Sequence, residues 1–255
     1  MIRETSDFFD STTPTIPMTR PFVGEEEAQA AANAVRSGWL SQGPRVAEFE
    51  RIVAERVGVT HAIAVNSCTA ALHLALICMG VRAGDEVIMP SFTFVATANA
   101  VVHAGARPIF VDIDARTYNL NPLLIEEAIT NRTKAILPVD QLGLPAALAP
   151  IQGIAARRNL KVLEDAACAL GAVYRGKPIG AISPLTCFSF HPRKSVTTGE
   201  GGMLLTNDDR IAERSQVLRS HGASSSDFTR HHGGVESYNE LGFNYRMTDI
   251  QAAIG

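Results

Sequence analysis

A lysine beside a glycine-rich turn is the residue best suited to covalent chemistry. Lys194 follows the apolar run that ends at Phe190, and the turn Thr197–Gly202 comes directly after it. A lysine that forms a Schiff base must be held at a binding cleft, and a strand end followed by a glycine-rich turn supplies that geometry. Because most lysines simply point into water, Lys194 needs support from other residues.

Two carboxylates at the end of another apolar run provide part of that support. Glu164 and Asp165 follow Leu163, one predicted strand before Lys194. A carboxylate placed against a pyridine nitrogen keeps that nitrogen protonated, and the protonated ring then withdraws electrons from a carbanion. Asp165 could serve this purpose. The sequence also allows the simpler alternative of a carboxylate that caps the next helix.

Two further segments place polar or aromatic residues after apolar runs. Small and hydroxyl residues in 66–71 lead from a predicted strand into a helix, where exposed N–H groups and the helix dipole would suit a phosphate. Serine and threonine also cap helices that bind nothing. Phe92 and Phe94 follow the run that ends at Met89, and either ring could stack on a flat heteroaromatic ligand or belong to the core.

A sheet must position these segments, and the alternation of apolar runs with helical segments along the chain predicts such a sheet. From about His61 to Thr206, short apolar runs rich in Val and Ile alternate with longer segments of helical period, which is typical of a parallel sheet covered by helices. Ligands bind beyond the carboxyl ends of the strands in such sheets. The predicted strands are His61–Val65, Glu86–Met89, Arg107–Val111, Lys134–Leu137, Lys161–Leu163, Thr186–Phe190 and Gly202–Thr206. The predicted helices are Glu25–Ser37, Pro44–Val57, Thr69–Met79, Val95–His103, Pro122–Ile129, Leu148–Arg158, Asp208–Ser220 and Met247–Ile254.

Composition argues against several classes of protein. The chain has 255 residues, 46% of them hydrophobic, and a formal net charge of −3, which gives no basic field that would attract nucleic acid or an anionic membrane. The four cysteines form neither the CxxC pairs of a zinc site nor a disulfide framework, so we expect reduced thiols, a cytoplasmic protein and no metal. Met1–Pro17 lacks the basic start and the apolar run of a signal peptide, and no stretch approaches about 18 uninterrupted apolar residues. The expected partner is a small molecule.

Taken together, these segments resemble the sugar aminotransferases of the DegT/DnrJ/EryC1/StrS family, a branch of the fold-type-I pyridoxal-phosphate enzymes. The matching runs, in the family's order, are NSCTAALHLAL (66–76), GDEVIMPSFTFVATANAV (84–101), FVDID (110–114), LEDAA (163–167), CFSFHPRKSVTTGEGGMLLTND (187–208) and LGFNYRMTDIQAA (241–253). The long run around Lys194 is far more specific than any single short motif. The resemblance implies an α/β fold, with a mostly parallel seven-stranded sheet covered by helices.

The resemblance also implies roles for individual residues. Pyridoxal 5′-phosphate would be the cofactor, Lys194 would form the Schiff base with it, and Asp165 would contact its pyridinium nitrogen. Phe94 matches the aromatic residue that stacks on the cofactor ring. Asn244 matches an asparagine that reaches the cofactor phosphate of the neighbouring subunit, which implies a homodimer with shared active sites. The cofactor phosphate would be held by Cys68, Thr69 and Ser189.

Two departures from the family pattern stand out. Position 168 is usually Gln or His and contacts the ring hydroxyl, whereas this chain has Cys168, a much weaker hydrogen-bond partner. Family members also continue into a small C-terminal domain, whereas this chain stops at Gly255, within the helical pattern Met247–Ile254. We therefore expect an N-terminal helical segment at 1–58 and a cofactor-binding large domain at 59–255. The polar stretch 223–234 is expected to be a surface loop.

The predicted activity is a two-stage amino transfer. By the resemblance, an amino acid, glutamate or glutamine, supplies nitrogen to a keto sugar attached to a nucleoside diphosphate, and Lys194 acts as the general base. One alternative is a family member that binds the cofactor and acts as a regulator without turnover. Another is a nucleotide-dependent oxidoreductase, but no GxGxxG motif follows the first predicted strand. Neither the sugar nor the carbon that is aminated can be read from the sequence.

Overall fold

The computed structural model describes residues 19–223 and 237–255. Its strands are β1 (His61–Val65), β2 (Glu86–Pro90), β3 (Arg107–Val111), β4 (Thr133–Ile136), β5 (Lys161–Asp165), β6 (Val173–Tyr174), β7 (Lys177–Pro178), β8 (Leu185–Ser189) and β9 (Gly202–Thr206). Seven of them form one sheet in the order β1-β9-β8-β5-β4-β2-β3. The predicted α/β fold with a seven-stranded sheet is confirmed.

Strand direction brings most of the carboxyl ends to one edge of the sheet. β9 runs antiparallel to both of its neighbours, β1 and β8, while the other pairs of the seven-stranded sheet are parallel. β2, β8 and β9 are buried along their whole length, as expected for strands covered on both faces. Six strands therefore end at the edge where β9 begins.

Helices cover both faces of the sheet. They are α1 (Glu25–Arg36), α2 (Pro44–Val57), α3 (Cys68–Cys78), α4 (Val95–His103), α5 (Ile125–Ala128), α6 (Leu148–Arg158), α7 (Asp209–Arg219) and α8 (Asp249–Ile254). One core contains residues of α2, α6 and α8, and the other contains residues of α3, α4 and α7. α3 is buried from Ala70 to Leu76, which explains why it is apolar all round.

Two local elements differ from the prediction. The predicted helix Pro122–Ile129 is a 3₁₀ turn at Pro122–Leu124 followed by the short α5, and Ile129 is already extended. The β6–β7 hairpin was not predicted. Its turn residues Arg175 and Gly176 both have positive φ, as a type I′ turn requires. Strands of two residues carry too little periodicity to be recognised from the sequence.

A carboxylate in the last described helix caps α2 across the fold. Asp249 is fully buried, and its Oδ1 accepts hydrogen bonds from the N–H groups of Gly43 (2.7 Å) and Val46 (3.1 Å). Its Oδ2 accepts from the N–H of Arg45 at 3.1 Å. Because the N-cap residue of α2, Gly43, has no side chain to serve these groups, Asp249 satisfies them instead.

The N-terminal helices are also connected to α8 by packing. Both α1 and α2 contact α8. The division into 1–58 and 59–255 stays a prediction. Of the polar loop expected at 223–234, only Ala223 lies within the described residues, and it is buried. No helix among residues 19–223 and 237–255 is long and apolar enough to cross a membrane.

Candidate functional site

The candidate site lies at the sheet edge where β1, β5 and β8 end. Asp165 is the last residue of β5 and Ser189 is the last residue of β8. Gly202, the first residue of β9, pairs with Ser189 on one side and with Val65, the end of β1, on the other. The start of β9 therefore connects the ends of two parallel strands.

The N-terminus of α3 lies directly against Gly202. A Cβ atom at position 202 would be 2.4 Å from the carbonyl carbon of Ser67 and 2.5 Å from the backbone nitrogen of Cys68, so only glycine allows this approach. The Ser67 hydroxyl accepts a hydrogen bond from the N–H of Ala70 at 3.1 Å. The N–H groups of Cys68 and Thr69 have no carbonyl partner within the helix, and the positive end of the helix dipole lies here. This arrangement suits an anion such as a phosphate.

Ser189 and Cys68 contribute differently to this anion site. The buried Ser189 hydroxyl accepts a hydrogen bond from the N–H of His191 at 3.4 Å, and its own proton remains available for donation. Burial raises the pKa of the Cys68 thiol well above its ordinary value, and the nearby charge of Asp165 raises it further. The thiol therefore stays neutral, and Cys68 offers an anion its backbone N–H.

Asp165 is a buried carboxylate with two hydrogen-bond donors. Its Oδ2 accepts from the Thr97 hydroxyl at 2.8 Å, and its Oδ1 accepts from the N–H of Ala167 at 3.2 Å. Burial raises the pKa of Asp165, whereas both hydrogen bonds and the positive charge of Lys194 lower it. These three groups therefore favour the ionised carboxylate against the cost of burial.

Thr97 was missed by sequence reasoning. It lies in the first turn of α4, and because its single proton goes to Asp165, its oxygen accepts from the Thr93 hydroxyl at 2.8 Å. The N-cap residue of α4 is Phe94, whose side chain is 68% exposed and therefore accessible for stacking. A threonine three residues after that phenylalanine was the available signal, but a hydroxyl in a helix is too common to identify a site.

Lys194 lies in a tight turn after β8. Its N–H donates to the carbonyl of His191 at 2.8 Å, and its Nζ donates to Cys168 Sγ at 3.1 Å. Cys168 is exposed and follows Asp165 by three residues. Because Cys168 lies three residues after Asp165, this contact brings the Lys194 amine to the end of β5, where its charge lowers the pKa of Asp165. All four cysteines are free thiols.

Asn244 lies beside the start of α3. Its backbone carbonyl accepts a hydrogen bond from Asn66 Nδ2 at 3.3 Å, and the next carbonyl, that of Tyr245, accepts from the N–H of Asn66 at 2.8 Å. The Asn244 side chain is exposed. Its contact with a neighbouring subunit stays a prediction.

Fold and site together define an α/β protein with a helix N-terminus suited to an anion and, at the same sheet edge, a lysine and a buried carboxylate. The chain belongs to the DegT/DnrJ/EryC1/StrS aminotransferase family, whose model matches residues 21–255. The resemblance found in the sequence is therefore confirmed.

Relatives of the chain include a curated protein and two solved structures. GDP-perosamine synthase of Caulobacter vibrioides is 46% identical over 243 residues, which cover 95% of this chain and 64% of that protein. PseC of Helicobacter pylori, an aminotransferase involved in the biosynthesis of pseudoaminic acid, superposes with a TM-score of 0.87 at 34% identity, covering 94% of this chain and 64% of that one. NtdA of Bacillus subtilis with bound cofactor PMP has a TM-score of 0.83 at 33% identity, covering 97% of this chain and 56% of that one. The chain thus spans less than two thirds of the length of the curated relatives it matches.

Proposed function

We propose that this chain is the cofactor-binding part of a pyridoxal-phosphate-dependent sugar aminotransferase. The single observation that carries the proposal is the contact of the Lys194 amine with Cys168, three residues after the buried carboxylate of Asp165, at the sheet edge where α3 begins. Family membership supports it, as does the similar fold of NtdA, which was solved with bound PMP.

The residues at this edge fit the cofactor. The start of α3 and the Ser189 hydroxyl offer donors to a phosphate, and the absence of a side chain at Gly202 leaves room for the approach of β9 to α3. Asp165 offers a buried negative charge to a ring nitrogen. Lys194 offers a primary amine on the same edge.

Bound pyridoxal phosphate would supply an electron-withdrawing ring that stabilises negative charge at a carbon that has lost a proton. Asp165 would hold a proton on the ring nitrogen, because an ionised, buried carboxylate favours a cation beside it. Thr97 would hold the Asp165 carboxylate in place through its 2.8 Å hydrogen bond. Lys194, once its amine is free, would take the proton from the amino-acid donor and return it.

The substrates we propose are an amino-acid donor, glutamate or glutamine, and a keto sugar linked to a nucleotide. The names of GDP-perosamine synthase and of PseC, an aminotransferase involved in the biosynthesis of pseudoaminic acid, support the sugar acceptor. We also propose a cytoplasmic homodimer in which Asn244 reaches the partner's cofactor phosphate. The exposure of Asn244 next to the start of α3 is compatible with such a contact.

The variant Lys194→Ala tests the proposal. We expect the variant to lose both the visible absorbance of lysine-bound cofactor and amino transfer, because the amine that is proposed to bind the cofactor has been removed. Lys177→Ala, which alters an exposed lysine of the β6–β7 hairpin, is the matched control and should keep both. A Lys194→Ala variant that retains the absorbance and transfers nitrogen would remove Lys194 from the proposed role.

A second experiment separates an enzyme from a regulator that only binds the cofactor. Glutamate added to the cofactor-loaded protein should change its spectrum as nitrogen passes to the cofactor, and 2-oxoglutarate should reverse the change. A spectrum unchanged by glutamate and by glutamine would favour the regulator. A panel of nucleotide-linked keto sugars would then identify the acceptor.

A further inference from the structure

A pair of buried carboxyl groups lies behind the candidate site. Asp140 is 1% exposed and Glu164 is 0% exposed. Because neighbouring residues of a strand point to opposite faces, Glu164 projects from the face of β5 opposite to that of Asp165. Its Oε2 accepts a hydrogen bond from the Thr186 hydroxyl at 3.1 Å.

One oxygen of each carboxyl group is left without a donor. Asp140 Oδ1 accepts from the N–H of Ala146 at 2.8 Å. Asp140 Oδ2 and Glu164 Oε1 are buried and accept no hydrogen bond from any donor in the described part of the chain. The two carboxyl groups nevertheless project from the same face of the sheet, because Val139 pairs with Asp165 and the adjacent residue on each strand, Asp140 or Glu164, points the other way. Each carboxyl group affects the pKa of the other. Ionised carboxylates can only accept, so one proton is required for a hydrogen bond between them.

We propose that Asp140 and Glu164 share one buried proton and together act as a positioning pair for Asp165. The pair joins the segment that follows β4 to the end of β5 through an acid-to-carboxylate hydrogen bond on the face opposite the site. The inference rests on the proposed function only for the role of Asp165, since the shared proton is a property of the protein without cofactor.

The environments of the two carboxyl groups indicate that Asp140 is the protonated member of the pair and that Glu164 is the ionised member. Burial raises the pKa of Asp140 to about 9, and the negative charge of Glu164 adds to this effect. Burial also raises the pKa of Glu164, but hydrogen bonds from Ser183, Asp140 and Thr186 act in the opposite direction. Asp165 projects from the other face of β5, but its negative charge is close enough to raise the pKa of both carboxyl groups.

The backbone explains how this pair can position Asp165. The N–H of Asp140 donates to the carbonyl of Asp165 at 3.0 Å, and the N–H of Asp165 donates to the carbonyl of Pro138 at 2.9 Å. The side-chain hydrogen bond adds a third connection between the same two segments. If both carboxyl groups were charged, the connection would be lost and two negative charges would oppose the ionisation of Asp165.

The turn that follows Asp140 in the chain also contacts a residue of the candidate site. Gly143 has a φ of +87°, and a Cβ atom there would lie 3.0 Å from the carbonyl oxygen of Cys168. Gln141 donates its N–H to Asn119 Oδ1 at 2.9 Å. The segment that begins at Asp140 therefore packs against Cys168, the residue whose thiol accepts a hydrogen bond from Lys194.

Infrared spectroscopy and unfolding test the shared proton without cofactor. At neutral pH, the wild-type minus Asp140→Asn difference spectrum should contain the carbonyl band of a buried, protonated carboxylic acid, sensitive to D₂O exchange. A raised pKa in the folded state means that stability falls as pH rises from the unfolded pKa towards about 9. The ratio of the wild-type unfolding constant to that of Asp140→Asn should therefore rise about tenfold per pH unit between about pH 5 and 8. A missing band, or a flat ratio, would overturn the shared proton.

Cofactor affinity tests the positioning role separately. Asp140→Ala leaves Glu164 buried without its partner and should weaken binding of pyridoxal phosphate about tenfold or more. Asp140→Asn offers an amide donor to Glu164 and an oxygen to the N–H of Ala146, so it should recover most of that loss. Equal affinity in Asp140→Ala and wild type would refute positioning even where the infrared band is present. The affinity of Lys194→Ala for the cofactor tests the proposed function and does not bear on the shared proton of Asp140 and Glu164.

Discussion

Replacing Gly202 by alanine is the sharpest test of the anion site. The new Cβ would lie 2.4 Å from the carbonyl carbon of Ser67 and 2.5 Å from the backbone nitrogen of Cys68. Ordinary contact begins at 3.4 Å, so the start of α3 or of β9 must move by about 1 Å. The φ of Gly202 lies outside the left-handed region, and the expected cost is therefore steric.

Two magnitudes follow from this displacement. Overpacking of this kind costs about 1 to 3 kcal/mol of the free energy of unfolding, which corresponds to roughly 2 to 4 °C in Tm for each kcal/mol. A shift of about 1 Å at a binding group can reduce activity about 100-fold. A 100-fold loss corresponds to about 2.7 kcal/mol, which is similar to the upper end of the expected loss in stability. We therefore expect affinity for pyridoxal phosphate to fall about 100-fold in a protein that still folds.

The assay compares cofactor affinity and thermal unfolding for Gly202→Ala and for a control glycine. Gly153 lies within α6, and a Cβ there would meet its nearest neighbour, Arg157 Nη1, at 3.7 Å. Gly153→Ala should bind cofactor normally and gain about 0.5 to 1 kcal/mol, because alanine favours the helix. Should Gly202→Ala bind cofactor as tightly as the wild type, the start of α3 is not the phosphate site.

Two further predictions concern polar contacts. Thr97→Val removes the donor that lowers the pKa of Asp165, so this pKa should rise, and the acid limb of the pH–activity profile should move to higher pH. Thr93→Val should shift the limb less, and equal shifts would contradict a direct role for Thr97. Asp249→Ala leaves three N–H groups at the start of α2 without their acceptor and should lower the free energy of unfolding in urea by about 2 to 3 kcal/mol. Asp208→Ala removes a local, exposed cap of α7 and is the comparison, and a loss no greater than that of Asp208→Ala would contradict this account.

Much of the fold could be predicted because it is encoded by residues that are close in the chain. The seven strands of the main sheet lie within two residues of their predicted bounds, because apolar runs between turn-forming residues signal buried strands locally. The direction of β9 could not be predicted. Its five residues, from Gly202 to Thr206, are buried on both faces and carry the same apolar pattern whichever way the strand runs.

Some residues of the candidate site could likewise be predicted from the sequence, whereas others could not. Lys194 and Asp165 could be identified because each follows an apolar run and each lies in a motif long enough to be specific. The Thr97 hydroxyl could not be linked to Asp165, which is 68 residues further along the chain. The family roles of these residues stay predictions until the variants are measured.

The sequence by itself determined which short segments become strands and helices, and which reactive side chains stand at their ends, because both depend on neighbours in the chain. Only the tertiary structure decided which distant groups meet. Asp249 caps a helix 206 residues away from it in the chain, and Asp140 meets Glu164 only because β4 and β5 are adjacent in the sheet. The physical reason is that a hydrogen bond between distant residues depends on strand order and chain direction, which local periodicity does not encode.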